Sequence, residues 1–136
     1  MNTRENLLDL LTEGLEREGY NVCMSNELPW VVGHCGFPIA VVSEPKLVAG
    51  GAPEATVISY DVVVKLLIQR YKSVDKSAPM FAIIEHDALA VAEAVAQSDG
   101  VVGLTVRELA PIAGGVTHAG DVAMEVALRV EMFRNV

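Results

Sequence analysis

The stretch that decides the predicted fold is TVISYDVVVKLLIQRYK, residues 56–72. Residues 56–59 predict a strand, because β-branched side chains are prominent there. Asp61 is a candidate helix N-cap, and residues 62–72 are predicted to form a helix whose polar positions lie on one narrow stripe. The valines at the start of this stretch count against the helix, because β-branched residues lose rotamer freedom in one.

The same alternation of strand and helix is predicted downstream. The segments are a strand at 79–84, a helix at 88–97 capped by Asp87, a strand at 101–106, a glycine-rich loop at 112–120 and a helix at 121–133. Strands that alternate with helices are typical of right-handed crossovers and a largely parallel sheet.

The residues upstream predict a helix followed by short strands. Leucines recur at helical spacing in residues 3–18, where Asn2 or Thr3 can cap the helix and Gly19 can end it. Strands are predicted at 20–25, 30–32 and 39–43, with the last two joined by a turn as a hairpin, and a loop is predicted at 47–55. We therefore predict one domain over residues 1–136, an α/β three-layer sandwich with a mixed, mostly parallel sheet of about five strands, an N-terminal helix and an antiparallel edge hairpin.

The composition excludes several classes of protein. The 136 residues are 51% hydrophobic and 21% charged, which excludes disorder, and two cysteines are too few for a disulfide scaffold. The formal net charge of −8 disfavours nucleic acid and anionic membrane surfaces as partners. No apolar run approaches the ~20 residues of a membrane helix, and the acidic N-terminal segment does not resemble a signal peptide. We expect a cytoplasmic protein with no nucleic-acid or membrane partner.

The predicted helices carry more apolar surface than a chain of this size can bury. A surface helix usually shows an apolar stripe a little over ~100° wide. Apolar residues cover most of the circumference of the helices predicted at 62–72 and 121–133. We therefore predict a homo-oligomer with one of these helices at the interface. The alternative is exposure of apolar surface, which the alanine-rich helix at 88–97 would tolerate.

Candidate functional residues are those expected at the carboxyl ends of parallel strands, where helix N-termini present unpaired amides to a ligand. Glu85 and His86 follow a predicted strand and are a candidate acid–base pair, because an imidazole titrates near neutral pH. Neighbouring residues at a strand end face opposite ways, so the two need not cooperate. A turn in which Asp87 caps the next helix explains the same residues without chemistry.

The glycine-rich loop is the best candidate for contact with an anion. Gly114 and Gly115 allow the backbone to approach a ligand, and Thr117 and His118 can donate hydrogen bonds before the last predicted helix. The loop matches neither the Walker A nor the dinucleotide-binding pattern. Asp121 would repel a phosphate unless it serves as a cap, and glycine pairs are mostly turn formers.

Cys35 is the candidate nucleophile, because it lies beside His34 between two glycines and reactivity requires an accessible thiolate. The base would have to be His86 or His118, since sequence neighbours rarely form the hydrogen-bonded pair. A tight turn with a half-buried Cys35 is the alternative. The cysteines and histidines show neither Cys-x-x-Cys nor His-x-x-x-His spacing, so no metal site is predicted and the cofactor is unknown.

Three functions are consistent with these residues. The leading hypothesis is an oligomeric α/β protein that binds a small polar or anionic metabolite between the glycine-rich loop and Glu85 with His86. The second is a small enzyme at the same place, with His86 or His118 as the acid–base group and Cys35 as the nucleophile. The third is a non-catalytic assembly subunit that docks on other chains through apolar helices. The sequence alone does not decide whether the protein is an enzyme.

Overall fold

The computed structural model describes residues 2–69, 78–117 and 120–134. Its elements in chain order are helix α1 (Thr3–Arg17), strand β1 (Asn21–Cys23), a 3₁₀ turn (Ser25–Glu27), helix α2 (Leu28–His34), strands β2 (Ile39–Val42), β3 (Lys46–Ala49) and β4 (Val57–Gln69), helix α3 (Ala78–Ala96), and strands β5 (Val101–Ile112) and β6 (Asp121–Phe133). The result is an α/β fold with a six-stranded mixed sheet. None of the helices in the described ranges is both long and apolar enough to cross a membrane.

The predicted N-terminal helix is confirmed. The Asn2 side chain accepts a hydrogen bond from the backbone N–H of Glu5 at 2.8 Å, and the Glu5 carboxylate accepts one from the backbone N–H of Asn2. This capping box satisfies two N–H groups that the first turn leaves open. Gly19, with φ of +89°, follows the end of α1, where a left-handed residue ends a helix without steric strain.

The sheet is mostly antiparallel, which corrects the prediction of a mostly parallel one. The strand order is β1-β2-β4-β6-β5, and β3 pairs with β4 on the same edge as β2. β1 and β2 pair in parallel, whereas β4 is antiparallel to β2, β3 and β6, and β5 is antiparallel to β6. The short loop between β5 and β6 cannot carry a parallel crossover, which needs a dozen or more residues.

The helix predicted at 62–72 is wrong, because residues 57–69 form β4; residues 70–72 lie outside the described part of the chain. Val62, Val64 and Leu66 are buried on the helix side of the sheet, and the residues between them point to the other side. β-branched side chains fit a pleated surface better than a helix. As a helix, this apolar stretch needed a second subunit to cover it. As a strand paired on both of its edges, it is buried within one chain.

The helix predicted at 121–133 is also wrong, because these residues form β6 between β4 and β5. Asp121, Glu125 and Arg129 are spaced four apart, and that spacing fits the period of a strand as well as that of a helix. Every second residue from Val122 to Met132 is buried on the helix side. The apolar content of β4 and β6 is therefore explained by the sheet and no longer argues for an oligomer.

Two prolines lie in the first turns of helices that replace predicted strands. Pro79 is the second residue of α3, so the strand predicted at 79–84 is wrong and Asp87 lies inside a helix rather than at its cap. Pro29 is the second residue of α2, which replaces the strand predicted at 30–32. Proline suits the first turn because the N–H it lacks has no partner there. The predicted hairpin is not formed, and β2 pairs with β1 and β4.

Helices α1 and α3 pack together on one face of the sheet. The main core joins Leu11 of α1, Ile84 and Val91 of α3, and Val64 and Val126 of the central strands. Each is almost fully buried, with exposures between 0% and 4%. This face is the helix side of the sheet.

The opposite face is covered at one end by α2. Val31 of α2 packs there with Ile39, Leu67 and Ala123 in a second core cluster. The part of this face beyond α2 is called the outer face below. Among its residues are Ser59, Asp61, Val63, Glu125, Ala127, Arg129, Thr105 and Ala110. Because a single short helix covers part of this side, the predicted three-layer sandwich is not confirmed.

Candidate functional site

The predicted composite site requires several loop tips on one rim of the sheet. Glu85 and His86 lie in the middle of α3 with exposed side chains, whereas Gly114 and Gly115 lie in the loop between β5 and β6. Neighbouring antiparallel strands run in opposite directions, so their carboxyl ends lie at opposite ends of the sheet and do not form a common rim. His118 lies outside the described residues. The premise of the composite pocket does not hold, and the roles of these residues stay predictions.

Asp87 joins α3 to the chain just before β1. The Tyr20 hydroxyl donates a hydrogen bond to Asp87 Oδ2 at 2.8 Å. Tyr20 is 3% exposed, and its burial, together with the Asp87 carboxylate, raises the pKa of its phenol. Both side chains line a cleft of about 270 Å³ that also includes Ile68 and Ile83. The hydrogen bond between the neutral phenol and the carboxylate holds α3 against the segment before β1.

The hydrogen-bond donors of the glycine-rich loop converge on one acceptor, the carboxylate of Asp121. The backbone N–H groups of Val116 and Thr117 each donate to this carboxylate at 2.8 Å, and the Thr117 hydroxyl donates to it as well. Asp121 is 3% exposed. The loop therefore has the donor geometry of an anion cradle, and the anion in it is a side chain of the same chain.

Gly115 is the glycine on which this arrangement depends. It has a φ of +75°, and an added Cβ would lie 2.4 Å from the backbone oxygen of Asp121 and 2.8 Å from its Oδ2. The preceding Gly114 has nearly the same φ of +76° but open space around it. The close backbone approach expected for a ligand thus occurs at Gly115, toward Asp121.

Cys35 follows α2 and is exposed, as a nucleophile would need to be. It lines a cleft of about 480 Å³ together with Trp30, Glu16 and Glu27. The neighbouring His34 is held elsewhere, with Nδ1 at 2.8 Å from the Trp30 carbonyl oxygen and its ring stacked on the Trp30 indole at 4.4 Å. The adjacent imidazole is therefore engaged with Trp30, as the sequence argument against neighbouring pairs anticipated.

The other cysteine belongs to the core. Cys23 is buried on the side of the sheet that α2 covers, and burial is the main cause that raises the pKa of its thiol, followed by the charge of Glu27. Both cysteines are free. Within residues 2–69, 78–117 and 120–134, no group of three or more His, Cys, Asp and Glu side chains could hold a metal ion.

Sequence reasoning missed an ion-pair cluster that crosses the outer face. Arg129 on β6 donates through Nε to Asp61 Oδ1 at 2.8 Å and through Nη2 to Asp61 Oδ2 at 3.1 Å. Arg107 on β5 adds a longer contact of 3.4 Å to Asp61 Oδ2. Asp61 and Arg129 are register partners 68 residues apart, so the local pattern shows Asp61 only as a cap and Arg129 only as part of a polar stripe.

The hydrogen bond from Arg129 is the main cause that lowers the pKa of Asp61. Because the folded-state pKa is depressed, the carboxylate stabilises the fold above its ordinary pKa of about 4, and this contribution disappears as the pH falls through the lowered value. We expect Asp61→Asn to be less stable than the unchanged protein near neutral pH. The difference in thermal unfolding temperature should shrink in acid.

Glu44→Gln is the control for this experiment, because Glu44 pairs with Arg4 in a well-exposed contact. Such surface pairs contribute little to stability, so this variant should stay close to the unchanged protein at every pH. A stability difference for Asp61→Asn that stays constant into strong acid would contradict the assignment.

Comparison with known proteins gives the chain no family. It matches no family model and no curated protein. Among solved structures, it is similar to a chain described as "Virion of native gene transfer agent (GTA) particle", at 17% sequence identity and a TM-score of 0.49. The match covers 71% of this chain and 69% of that chain. A likeness at this level carries no conclusion about function.

Proposed function

We propose that the protein is a non-catalytic assembly subunit that associates with other protein chains. The partner proposed and tested below is a second copy of the same chain. The observation that carries the proposal is the free edge of β5. This strand of 12 residues ends the strand order, and no strand in the described part of the chain pairs with its outer edge. A long open edge presents unpaired N–H and C=O groups to which another strand can bind.

Large apolar side chains at one end of the sheet support the same proposal. Val102 is 46% exposed and Phe133 is 56% exposed. They lie where β5 begins and β6 ends, and Val57, the register partner of Phe133, is half-buried there. Isolated apolar residues are ordinary on protein surfaces, whereas several at one end of a sheet favour contact with another chain.

The metabolite and enzyme hypotheses have less support from the geometry. The donors of the glycine-rich loop that an anionic ligand would use are bound to Asp121. The cleft beside Cys35 carries Glu16 and Glu27, whose charges oppose an anion. Neither feature supplies a positively charged or donor-rich pocket.

We expect the purified chain to self-associate. Sedimentation velocity between ~1 and ~100 µM should show the mass rising above that of a monomer, because a dissociation constant in this range is ordinary for a specific protein contact. Native mass spectrometry of the same sample reports the subunit number and any retained small molecule.

A chain that stays monomeric at the highest concentration would overturn the proposal. If the monomer also retained a small molecule, the metabolite hypothesis would replace it. Val106→Pro tests the edge itself, because Val106 lies at the middle of β5 and proline cannot donate a backbone hydrogen bond to another strand. Its self-association should be weaker than that of the unchanged chain. Circular dichroism verifies that the sheet is kept.

A further inference from the structure

We infer that two copies pair through their β5 strands, antiparallel and related by a two-fold axis, so that one continuous sheet runs through both. The inference rests on the proposed function and specifies the interface that function would use. The pairing opposes Arg107 of one copy and Glu108 of the other at the centre of the strand. A two-fold contact needs a self-complementary surface, and β5 has one.

The side chains of β5 point to the outer face and to the helix side of the sheet in a definite order. Thr105 and Ala110 lie on the outer face, opposite outer-face residues of β6. Val106 and Leu109 are partly buried on the helix side. The register of β5 against β6 shifts between Val106 and Glu108, so the alternation of faces changes there. Because of this bulge, the two halves of β5 present the same order of faces when read outward from the centre.

This order of faces selects one register between two copies of β5. Directly opposite residues of an antiparallel pair share a face. When Arg107 is placed opposite the partner's Glu108, residues 106, 105, 104 and 103 fall opposite the partner's residues 109, 110, 111 and 112. The first three pairs each join two helix-side or two outer-face positions. The fourth joins Gly103 to Ile112, which packs in the second core cluster on the side of the sheet opposite α1 and α3.

Slipped registers lose this match. A slip of one residue places Arg107 opposite the partner's Arg107, which opposes like charges. A slip of two residues places Val106, a helix-side residue, opposite Arg107 or Glu108 opposite Leu109. Bulges and charges on an edge strand usually discourage pairing. β5 has one register shift near its start, between Val101 and Gly103, and a second at its midpoint, between Val106 and Glu108, beside the charges of Arg107 and Glu108. The bulge and the charges at the midpoint disfavour the slipped registers.

The charges of the two β5 strands are also complementary in this register. The Arg107 side chain is 50% exposed and its contact with Asp61 is 3.4 Å long, and Glu108 is exposed. The symmetric register brings together two Arg–Glu pairs on a chain whose formal net charge is −8. These pairs offset the repulsion between two acidic copies, and they also fix the register.

Cysteine cross-linking tests the register directly. In a Cys35→Ser background, which removes the exposed native thiol, Thr105→Cys with Ala110→Cys should give a covalent dimer when treated with a short thiol cross-linker. Within one chain the two positions are ~16 Å apart along the strand, so the product must join two chains. Most chains of the double variant should cross-link, whereas Thr105→Cys alone and Ala110→Cys alone should remain largely uncross-linked.

A charge exchange tests the central contact. Arg107→Glu and Glu108→Arg should each weaken the dimer about tenfold or more in sedimentation experiments, because each opposes like charges across the axis. The double exchange should restore dimerisation, which a purely structural role of either residue would not do.

The outcomes separate this inference from the proposed function. Self-association without cross-linking of the double cysteine variant, or without rescue by the double exchange, would overturn the β5 pairing and leave the assembly proposal standing. A monomer at every concentration would overturn both.

Discussion

Replacing Asp121 with alanine is expected to lower the free energy of unfolding by at least ~3 kcal/mol, because hydrogen bonds to a charged acceptor contribute ~1.5–3 kcal/mol each. The carboxylate is 3% exposed and accepts hydrogen bonds from two backbone N–H groups and from the Thr117 hydroxyl. Alanine leaves the donors of Val116 and Thr117 without this acceptor where β6 begins. Thermal unfolding should show a Tm lower by ~10 °C or more.

Two further variants make the result interpretable. Asp121→Asn keeps the size of the side chain but offers one acceptor oxygen and an amide that cannot accept a hydrogen bond, so we expect an intermediate loss. Asp99→Ala removes an exposed carboxylate in the turn after α3 and should change stability little. If Asp121→Ala behaves like Asp99→Ala, the carboxylate does not organise the loop, and an external anion becomes the better explanation of its donors.

The parts of the fold that were predicted correctly are those with signals confined to a few residues. α1 has a side-chain cap at Asn2, a leucine stripe and a terminating glycine, each of which acts within one or two turns. β4 and β6 lack such signals, because their stability comes from pairing with strands far away in the chain. Asp61 and Arg129 show how far: 68 residues separate them. A short stretch of sequence does not show which distant strand will pair with it. The two long paired strands therefore resembled apolar helices.

The ligand site at the glycine-rich loop stays a prediction, because the donors of this loop bind Asp121. The glycines and Thr117 predicted a loop whose backbone approaches a ligand and whose threonine donates to it, whereas in the structure the backbone N–H groups of Val116 and Thr117 donate to Asp121. The acceptor lies within reach of a local sequence pattern, because Asp121 is only four or five residues from the donors. Its interpretation as a helix cap followed from the wrong element downstream. A carboxylate at the start of a strand points back into the loop and occupies the place assigned to a ligand.

Replacing Gly50 with alanine is expected to cost more than about 3 kcal/mol of folding free energy, through a positive φ and a steric clash together. Gly50 follows β3 and has a φ of +89°. A Cβ there would lie 2.1 Å from the backbone oxygen of Val57 and 2.8 Å from the Cα of Ile58. Both are backbone atoms of β4, so relief requires moving the central strand or losing the turn. Urea unfolding measures the loss, and a fall in the midpoint at unchanged slope identifies it as stability.

Gly36→Ala is the matched control, because it separates the conformational cost from the clash. Gly36 has a φ of +78°, close to that of Gly50, but no heavy atom lies within 4 Å of an added Cβ. Its substitution should cost about 1 kcal/mol, the ordinary penalty of a side chain in the left-handed region. The difference between the two variants then measures how closely the turn after β3 approaches β4. Equal losses would mean that the turn relaxes freely and that β3 is only loosely held against β4.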